Sequence, residues 1–355
     1  FRLTAANMTD AKLHGAKVLT YSEVLGIVKE GNIVKGVKIK NKRTGEVDTF
    51  YAQVTVNAGG IWGQGIAQMA GVSITMFPAK GSLLIFGHRV NNVVINRCRK
   101  PANADILVPG ETISLIGTTS DRVGLEEVDK LRVTPEEVKV LLEEGQKLSP
   151  VLAQTRIIRA YCGVRPLVAA DNDPSGRNIS RGIVLLDHET RDGIAGFITI
   201  TGGKLMTYRL MAEWATDLVC KKLDIRRGCV TARRPLPGSA PEERAASANE
   251  DKCGSLICEC EKVSLHKAEN AIDNLQVTNM IDLRRRTRLG MGTCQGELCA
   301  CRGAGLIARK KENPTRAKED LKAFMNERWK GIFPICWGDS LRENEYTQWI
   351  YTHEI

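Results

Sequence analysis

Gly163-Val164-Arg165-Pro166-Leu167, followed further on by Gly202-Gly203-Lys204-Leu205-Met206-Thr207-Tyr208-Arg209, decides how this chain is read. Between the two, Asn178-Ile179-Ser180-Arg181-Gly182 precedes the apolar run Ile183 to Leu186. Arg165, Arg181 and Lys204 therefore bracket a strand-rich segment that ends in a glycine pair ahead of a helix. Unpartnered backbone N–H groups at a helix start, with the helix dipole, favour negative charge. Arginine adds forked recognition of phosphate or carboxylate. Together these residues read as one wall of an anion site, although any one of them alone reads as ordinary surface.

Outward from that segment, the chain has 355 residues, 43% hydrophobic and 26% charged, with a formal net charge of +10. Domains of about 100–200 residues would make it two or three units. No uninterrupted apolar run approaches the ~18 residues of a bilayer span. Phe1-Arg2-Leu3 supplies neither an initiator Met nor an apolar h-region, so the expectation is a chain without a signal peptide that starts in mid-sequence. Excess positive charge suits anionic substrates, acidic partners or a membrane surface. Nucleic acid is disfavoured. The clusters Arg284-Arg285-Arg286 with Arg288, and Arg309-Lys310-Lys311, lack interleaved stacking aromatics and read as solvated helix faces.

Local patterns predict a mixed α and β organisation. Leu3 to His14 reads as a short helix, followed by strands at Lys17–Tyr21, Val24–Lys29, Ile33–Lys40, Asp48–Gln53 and Val54–Asn57 in an antiparallel meander. A second strand-rich block spans Ile74 to Thr119. Thr134-Pro135-Glu136-Glu137 is a helix start, with a capping Thr, Pro first and Glu at the third position. Leu205 to Leu223 has amphipathic helical spacing, and Pro235 to Pro241 begins a linker. The expected domains are residues 1–234, a linker 235–250, a cysteine-rich unit 251–310 and a helical tail 311–355. Trp337, Trp349 and Tyr351 are expected to anchor that tail on the main domain.

Two motifs carry chemistry besides the anion wall. Asn57-Ala58-Gly59-Gly60-Ile61-Trp62 delivers a buried strand into a glycine turn, which lets backbone approach a cofactor closely. A structural turn is the competing reading, and Gln68 stands where a dinucleotide fingerprint would need its third glycine. Six of the eleven cysteines crowd one region: Cys258-x-Cys260, then Cys294 to Cys299, with Cys301 as a spare and Cys253 outside the pattern. Four thiolates in two close pairs are what a [2Fe–2S] cluster needs. Zinc or free thiols are the competing readings, although zinc pairs usually take wider x2–4 spacing. Gly290, Gly292 and Gly296 suit backbone N–H donation to sulfur. His14, His88, His188, His266 and His353 show no metal spacing and read as surface or loop residues.

The ordered set of Asn57 to Trp62, Lys80-Gly81-Ser82, Ile116-Gly117-Thr118-Thr119, Gly163 to Leu167 and Gly202 to Arg209 resembles the FAD-dependent glycerol-3-phosphate dehydrogenases. Phe77-Pro78-Ala79-Lys80-Gly81-Ser82-Leu83-Leu84 and the cysteine unit resemble, more narrowly, the catalytic A subunits of the bacterial anaerobic type. The resemblance implies an α/β fold: the C-terminal portion of a DAO-type FAD-dependent oxidoreductase, with its N-terminal Rossmann half absent, plus a small BFD-like [2Fe–2S] domain. It implies flavin contacts at Ala58, Gly59, Gly60, Trp62, Gly202, Gly203, Leu205, Met206 and Thr207. Arg165, Arg181 and Lys204 would surround the substrate's phosphate and hydroxyls. Cofactors would be FAD and a [2Fe–2S] cluster at Cys258, Cys260, Cys294 and Cys299, and a second flavin, FMN, is compatible.

The implied reaction is oxidation of sn-glycerol 3-phosphate to dihydroxyacetone phosphate. Electrons would pass through iron–sulfur and membrane-anchoring subunits to quinone, with the chain peripheral on the cytoplasmic face of the inner membrane. Relatives of the aerobic type carry His where this chain has Leu83, which moves the general base elsewhere, Lys204 being one candidate. Two other readings compete: an amino-acid or opine-type FAD oxidase, and a fragment acting only in electron transfer or docking. Three cations at the site favour phosphate over carboxylate. Without the Rossmann half, FAD is expected to bind this chain weakly or not at all.

Overall fold

Helix α1 (Arg2–Leu13) opens the chain as expected, but Lys17–Tyr21 forms no strand. The computed structural model describes residues 1–168, 182–239 and 255–354. The meander consists of β1 (Ser22–Glu30), β2 (Ile33–Asn41) and β3 (Val47–Tyr51), antiparallel in that order. Its expected last member, β4 (Thr55–Asn57), departs for another sheet. Alternation of side chains predicts a strand but not its neighbour, which long-range pairing selects.

After α2 (Gly63–Met69) come β5 (Met76–Phe86), β6 (Ile95–Asn96), β7 (Ile106–Pro109), β8 (Ser114–Gly117), β9 (Asp121–Arg122), α3 (Pro135–Leu148) and β10 (Ile157–Val168). These strands form one sheet in the order β10-β5-β8-β7-β6, with β9 also paired to β5. Helix α3 starts where its motif predicts. The Thr134 hydroxyl accepts the Glu137 N–H at 3.3 Å, and the Glu137 carboxylate accepts the Thr134 N–H at 2.8 Å. Val138 and Leu141 of α3 pack with Leu84, Phe86, Leu107, Ile116 and Leu152 in one apolar core. Fully burying each large side chain of this kind stabilises by about 1.5–3 kcal/mol.

Next follow β11 (Ile183–Asp187), α4 (His188–Asp192), β12 (Phe197–Gly202) and α5 (Tyr208–Lys222). Here β11 and β12 pair antiparallel, while β12 pairs parallel with β4, Asn57 lying opposite Thr199. Strand β10 packs against β12. Val164 and Val168 share an apolar cluster with Ile61 and Phe197.

The cysteine unit comprises β13 (Leu256–Cys258), β14 (Val263–Ser264), α6 (Leu265–Asn274), α7 (Met280–Thr287) and α8 (Ala300–Lys311). Its core of Ile257, Ile272, Met280, Leu283 and Ile307 also takes Leu321, Phe324 and Met325 from α9 (Pro314–Ile332). The start of the expected tail is thus a wall of the cysteine unit. The far end of α9 closes on β10, where a Cβ at Gly331 would stand 2.7 Å from the Ala160 carbonyl oxygen. Helix α10 (Gly338–Trp349) follows. Trp337 and Trp349 are exposed rather than anchoring, and the Tyr351 hydroxyl donates to the Glu297 carbonyl of the cysteine unit. No described helix is long and apolar enough to cross a membrane.

Candidate functional site

Because β4 and β12 are parallel neighbours, the chain leaves both at the same edge of the sheet. One exit is the turn through Ala58, Gly59, Gly60 and Trp62; the other is Gly202 to Thr207. Ligands of α/β sheets bind beyond the carboxyl ends of strands in this way. Gly202 and Gly203 take φ values of 72° and 66°, and a Cβ at Gly202 would stand 2.4 Å from the Gly182 carbonyl oxygen. Glycine is required there by both conformation and space. The Thr207 hydroxyl accepts the Lys204 N–H and donates to the Lys204 carbonyl, both at 2.9 Å, which closes the second turn. Trp62, Leu205 and Met206 are 57%, 75% and 89% exposed. Backbone-lined turns flanked by open apolar side chains fit a large, partly planar cofactor such as a flavin.

A buried polar chain braces the first turn. Asn57 accepts the Gly59 N–H at 3.1 Å and donates to the Gly63 carbonyl at 2.9 Å and to Thr199 Oγ1 at 3.3 Å. His188 Nε2 lies 2.8 Å from Thr199 Oγ1, and its Nδ1 lies 2.5 Å from Asp192 Oδ2. The expectation of a surface or loop role for His188 is therefore corrected: it is fully buried and stacked on Phe197. Its isolation from other histidines concealed this: Asp192 lies one helical turn on, while Thr199 and Phe197 arrive on β12 through its antiparallel pairing with β11.

Arg165 lies on β10 opposite Ala79 of β5. Its guanidinium crosses Gly81, where an added Cβ would stand 2.4 Å from Nη2. It donates to Thr118 Oγ1 at 2.5 Å, to the Thr119 carbonyl at 3.2 Å, and to Ser120 Oγ and the Lys80 carbonyl at 3.4 Å. Behind it, buried Lys80 donates to Glu137 at 2.6 Å, and Ser82 donates to the other carboxylate oxygen at 2.7 Å. Burial pushes the Glu137 carboxyl up most strongly. Lys80, the Thr134 N–H and Ser82 outweigh it and hold the group below its ordinary value. The capping motif located Glu137 without revealing this second task. Lys204 is exposed at the head of its turn, and Arg181 lies outside the described residues. Leu83 packs over Gly117.

The four cysteines also converge. Cys258 ends β13 and Cys299 immediately precedes α8; the neighbouring Cys258 and Cys294 thiols, with burial, push the Cys299 thiol up. All four thiols are free; those of Cys258 and Cys294 adjoin that of Cys299, and Cys294 also adjoins Cys260. Hydrogen bonding from Cys299, with the Gly290 and Glu261 N–H groups, holds the Cys258 thiol well below its ordinary value. Cys299, with the Leu298 and Gly296 N–H groups, does the same for Cys294. Gly292 instead makes room, since a Cβ there would stand 2.3 Å from Cys260 Cβ. Cys301 faces Tyr351 rather than the other thiols, and Cys253 lies outside the described residues. Among the described residues, no three donors surround one point as a single metal ion requires. Four adjoining thiols with supporting N–H donors fit the ligand set of a [2Fe–2S] cluster. One charge reading is also corrected: Arg284 is buried against this unit, although Arg285 is exposed.

Comparison with known proteins agrees with both halves. Residues 1–209 match the FAD dependent oxidoreductase family, and residues 256–309 match the BFD-like [2Fe-2S] binding domain. The chain is 59% identical to the A subunit of the anaerobic glycerol-3-phosphate dehydrogenase of Escherichia coli, over 99% of this chain and 70% of that protein. Its counterpart in Haemophilus influenzae is 55% identical, over 99% and 67%. The glycerol-3-phosphate dehydrogenase of Bacillus halodurans, solved with FAD, shares the fold at a TM-score of 0.69 and 21% identity, over 95% of this chain and 74% of that one. With flavin-type turns, a four-thiol centre and this likeness over nearly its whole length, the chain belongs to the FAD dependent oxidoreductases, in the family of the anaerobic glycerol-3-phosphate dehydrogenase A subunits.

Proposed function

We propose that this chain oxidises sn-glycerol 3-phosphate to dihydroxyacetone phosphate as the catalytic member of a multi-subunit complex. The observation that carries the reading is the packing of β10, with Arg165, against both β12 and the Gly60–Trp62 turn. A fixed guanidinium is thereby brought to the strands whose ends form the flavin turns. Ala58, Gly59, Gly60 and Trp62 hold one side of FAD, and Gly202, Gly203, Leu205, Met206 and Thr207 the other. FAD bound there supplies the two-electron acceptor for hydride from C2 of the substrate. Arg165, Arg181 and Lys204 bind the phosphate and hydroxyls and orient C2, with positive charge ready where negative charge accumulates. Lys204 is the candidate acceptor of the alcohol proton. Cys258, Cys260, Cys294 and Cys299 hold the cluster.

The proposed domains are residues 1–234, a linker 235–250 and a cysteine unit 251–310, whose core is completed by helix α9 at the start of the tail 311–355. Iron–sulfur and membrane-anchoring subunits carry the electrons on to quinone, and the chain lies peripherally on the cytoplasmic face. The test is Arg165→Ala in the assembled holoenzyme, assayed with glycerol 3-phosphate and with glycerol. Loss of a bidentate charged contact should lower kcat/KM for the phosphorylated substrate by about 100-fold. Turnover of glycerol, which has no phosphate to lose contact with, should change far less. Equal effects on both substrates, or none on either, would refute phosphate binding by Arg165.

A further inference from the structure

Three arginines are buried where the cysteine unit meets β10. Arg159, Arg284 and Arg328 are only 7%, 9% and 2% exposed, and they come from β10, α7 and α9. Their partners are sparse for such depth. Arg159 reaches Gln295 Oε1 and the Glu327 carbonyl at 3.4 Å, with the Glu327 carboxylate at 4.0 Å. Arg328 donates to Asn344 Oδ1 at 3.0 Å and stands 3.6 Å from Glu297. Arg284 lies over the Phe324 ring at 5.8 Å. Among the described residues, Arg284 Nε and Arg328 Nε and Nη1 have no hydrogen-bond partner. Each buried donor left unsatisfied costs roughly 1–3 kcal/mol, more for charged groups. Buried orphan groups of this kind call for a reason such as a redox role.

What these cations face is the cysteine loop. Arg159 is held by Gln295, the residue after Cys294; Arg328 lines one cavity with Cys294 and Gln295; and Arg284 lies over Phe324, whose ring packs on Gly290 and Gly296 of the loop. Burial, then the nearby Arg159 charge, pushes Arg284 down to about 9, which still leaves it cationic at neutral pH. The carboxylates that could neutralise the group, Glu297 and Glu327, are 45% and 34% exposed and so are screened by water. Gly331 permits this close assembly: a Cβ there would stand 2.8 Å from Arg159 Cγ.

We infer that Arg159, Arg284 and Arg328 raise the reduction potential of the cluster held by Cys258, Cys260, Cys294 and Cys299, and so make it an acceptor for electrons from the flavin side of the molecule. The inference rests on the reading of those four cysteines as cluster ligands. A cluster with four thiolate ligands is anionic and gains one further negative charge with each electron. No bond forms or breaks, and the arginines neither gain nor lose a proton. Fixed positive charge in a poorly solvated interface favours the reduced form. Strand β10 joins the two ends of this arrangement. Arg159 and Arg165 lie on it about 20 Å apart at ~3.3 Å per residue.

The test uses the full chain, reconstituted anaerobically with iron and sulfide and titrated with dithionite while the reduced-cluster EPR signal is followed. Arg159→Gln, Arg284→Gln and Arg328→Gln are compared with the wild type and with the matching Lys variants. Each Gln variant should lower the reduced-to-oxidised ratio at a fixed potential by about tenfold, ~59 mV for a one-electron couple. Lys should restore most of that shift. Gln variants with full iron and sulfide that titrate at the wild-type midpoint would overturn the inference. A purely structural role would lower cluster content without moving the midpoint, and that too would overturn it. If one Gln variant loses its cluster, its Lys counterpart and the other two variants decide. A wild-type chain that takes up no iron and sulfide would instead overturn the reading of the cysteines.

Discussion

Gly81 is the position at which folding and substrate recognition can be separated. An Ala there would place Cβ 2.4, 2.8 and 2.9 Å from Nη2, Cζ and Nη1 of Arg165, whereas ordinary contact begins near 3.4 Å. The guanidinium must therefore withdraw by about 1 Å, the difference between 3.4 and 2.4 Å. The bonds to the Lys80 carbonyl and Ser120, already at 3.4 Å, cannot follow that movement. Those to Thr118 and the Thr119 carbonyl must be rebuilt. Arg165 is only half-buried, so water replaces part of what is lost, and the stability cost should be near 1 kcal/mol. Replacing a strand glycine returns roughly 0.5–1 kcal/mol. A binding group displaced by about 1 Å can nevertheless cost up to ~100-fold in rate. Gly81→Ala should therefore leave Tm nearly unchanged and lower kcat/KM for glycerol 3-phosphate about 10- to 100-fold. Both quantities are measured on the assembled holoenzyme. Unchanged kcat/KM at unchanged Tm would refute the role given to the Arg165 position. A large fall in Tm would show that Gly81 serves packing first.

Two further outcomes follow from buried polar groups. His188→Ala leaves Thr199 and Asp192 without their ring partner and should destabilise by about 1–3 kcal/mol. In the assembled holoenzyme it should also weaken FAD retention through Asn57, read by flavin fluorescence during dilution, and a Tm loss with unaltered retention would detach the brace from the glycine turn. Glu137→Gln leaves Lys80 with the Arg132 carbonyl but no buried counter-charge. Stability at neutral pH should fall by about 2–3 kcal/mol, below the usual range for breaking a buried pair because that carbonyl remains. The pH dependence has a definite sign. The folded carboxyl sits below its ordinary value, so the unfolded chain binds more protons through that window. The wild type keeps this stability above the unfolded pKa and loses it as pH falls through the folded one. The Gln variant should lack that acid-side loss, and parallel urea midpoints for both proteins across the same pH range would contradict the assignment.

Some of this protein is legible in short stretches. Thr134-Pro135-Glu136-Glu137 announces α3 because a cap is made by residues three apart, and those bonds form as expected. The cysteine pairs identify their own chemistry because ligand spacing within a loop is a local property, and Gly290 and Gly296 supply the expected N–H donors. The glycine turns after Asn57 and at Gly202-Gly203 are visible because only glycine adopts such backbone without strain. What misleads is any feature whose meaning depends on a distant partner. Arg284 in a run of three arginines resembles a solvated face until α9 and β10 cover it. His188 resembles a loop residue until β12 supplies Thr199 and Phe197.

By itself, then, the sequence determined where helix α3 starts, where backbone must bend and which thiols lie together. Tertiary structure decided that β4 leaves its meander to run parallel to β12, which sets two glycine turns, distant in sequence, at one edge. It also decided that α9 spans both units and buries three arginines beside the cysteine loop. The physical reason is common to both outcomes. Caps, turns and ligand spacings are made by residues a few positions apart, whereas strand partners and burial arise from pairing surfaces that are remote along the chain.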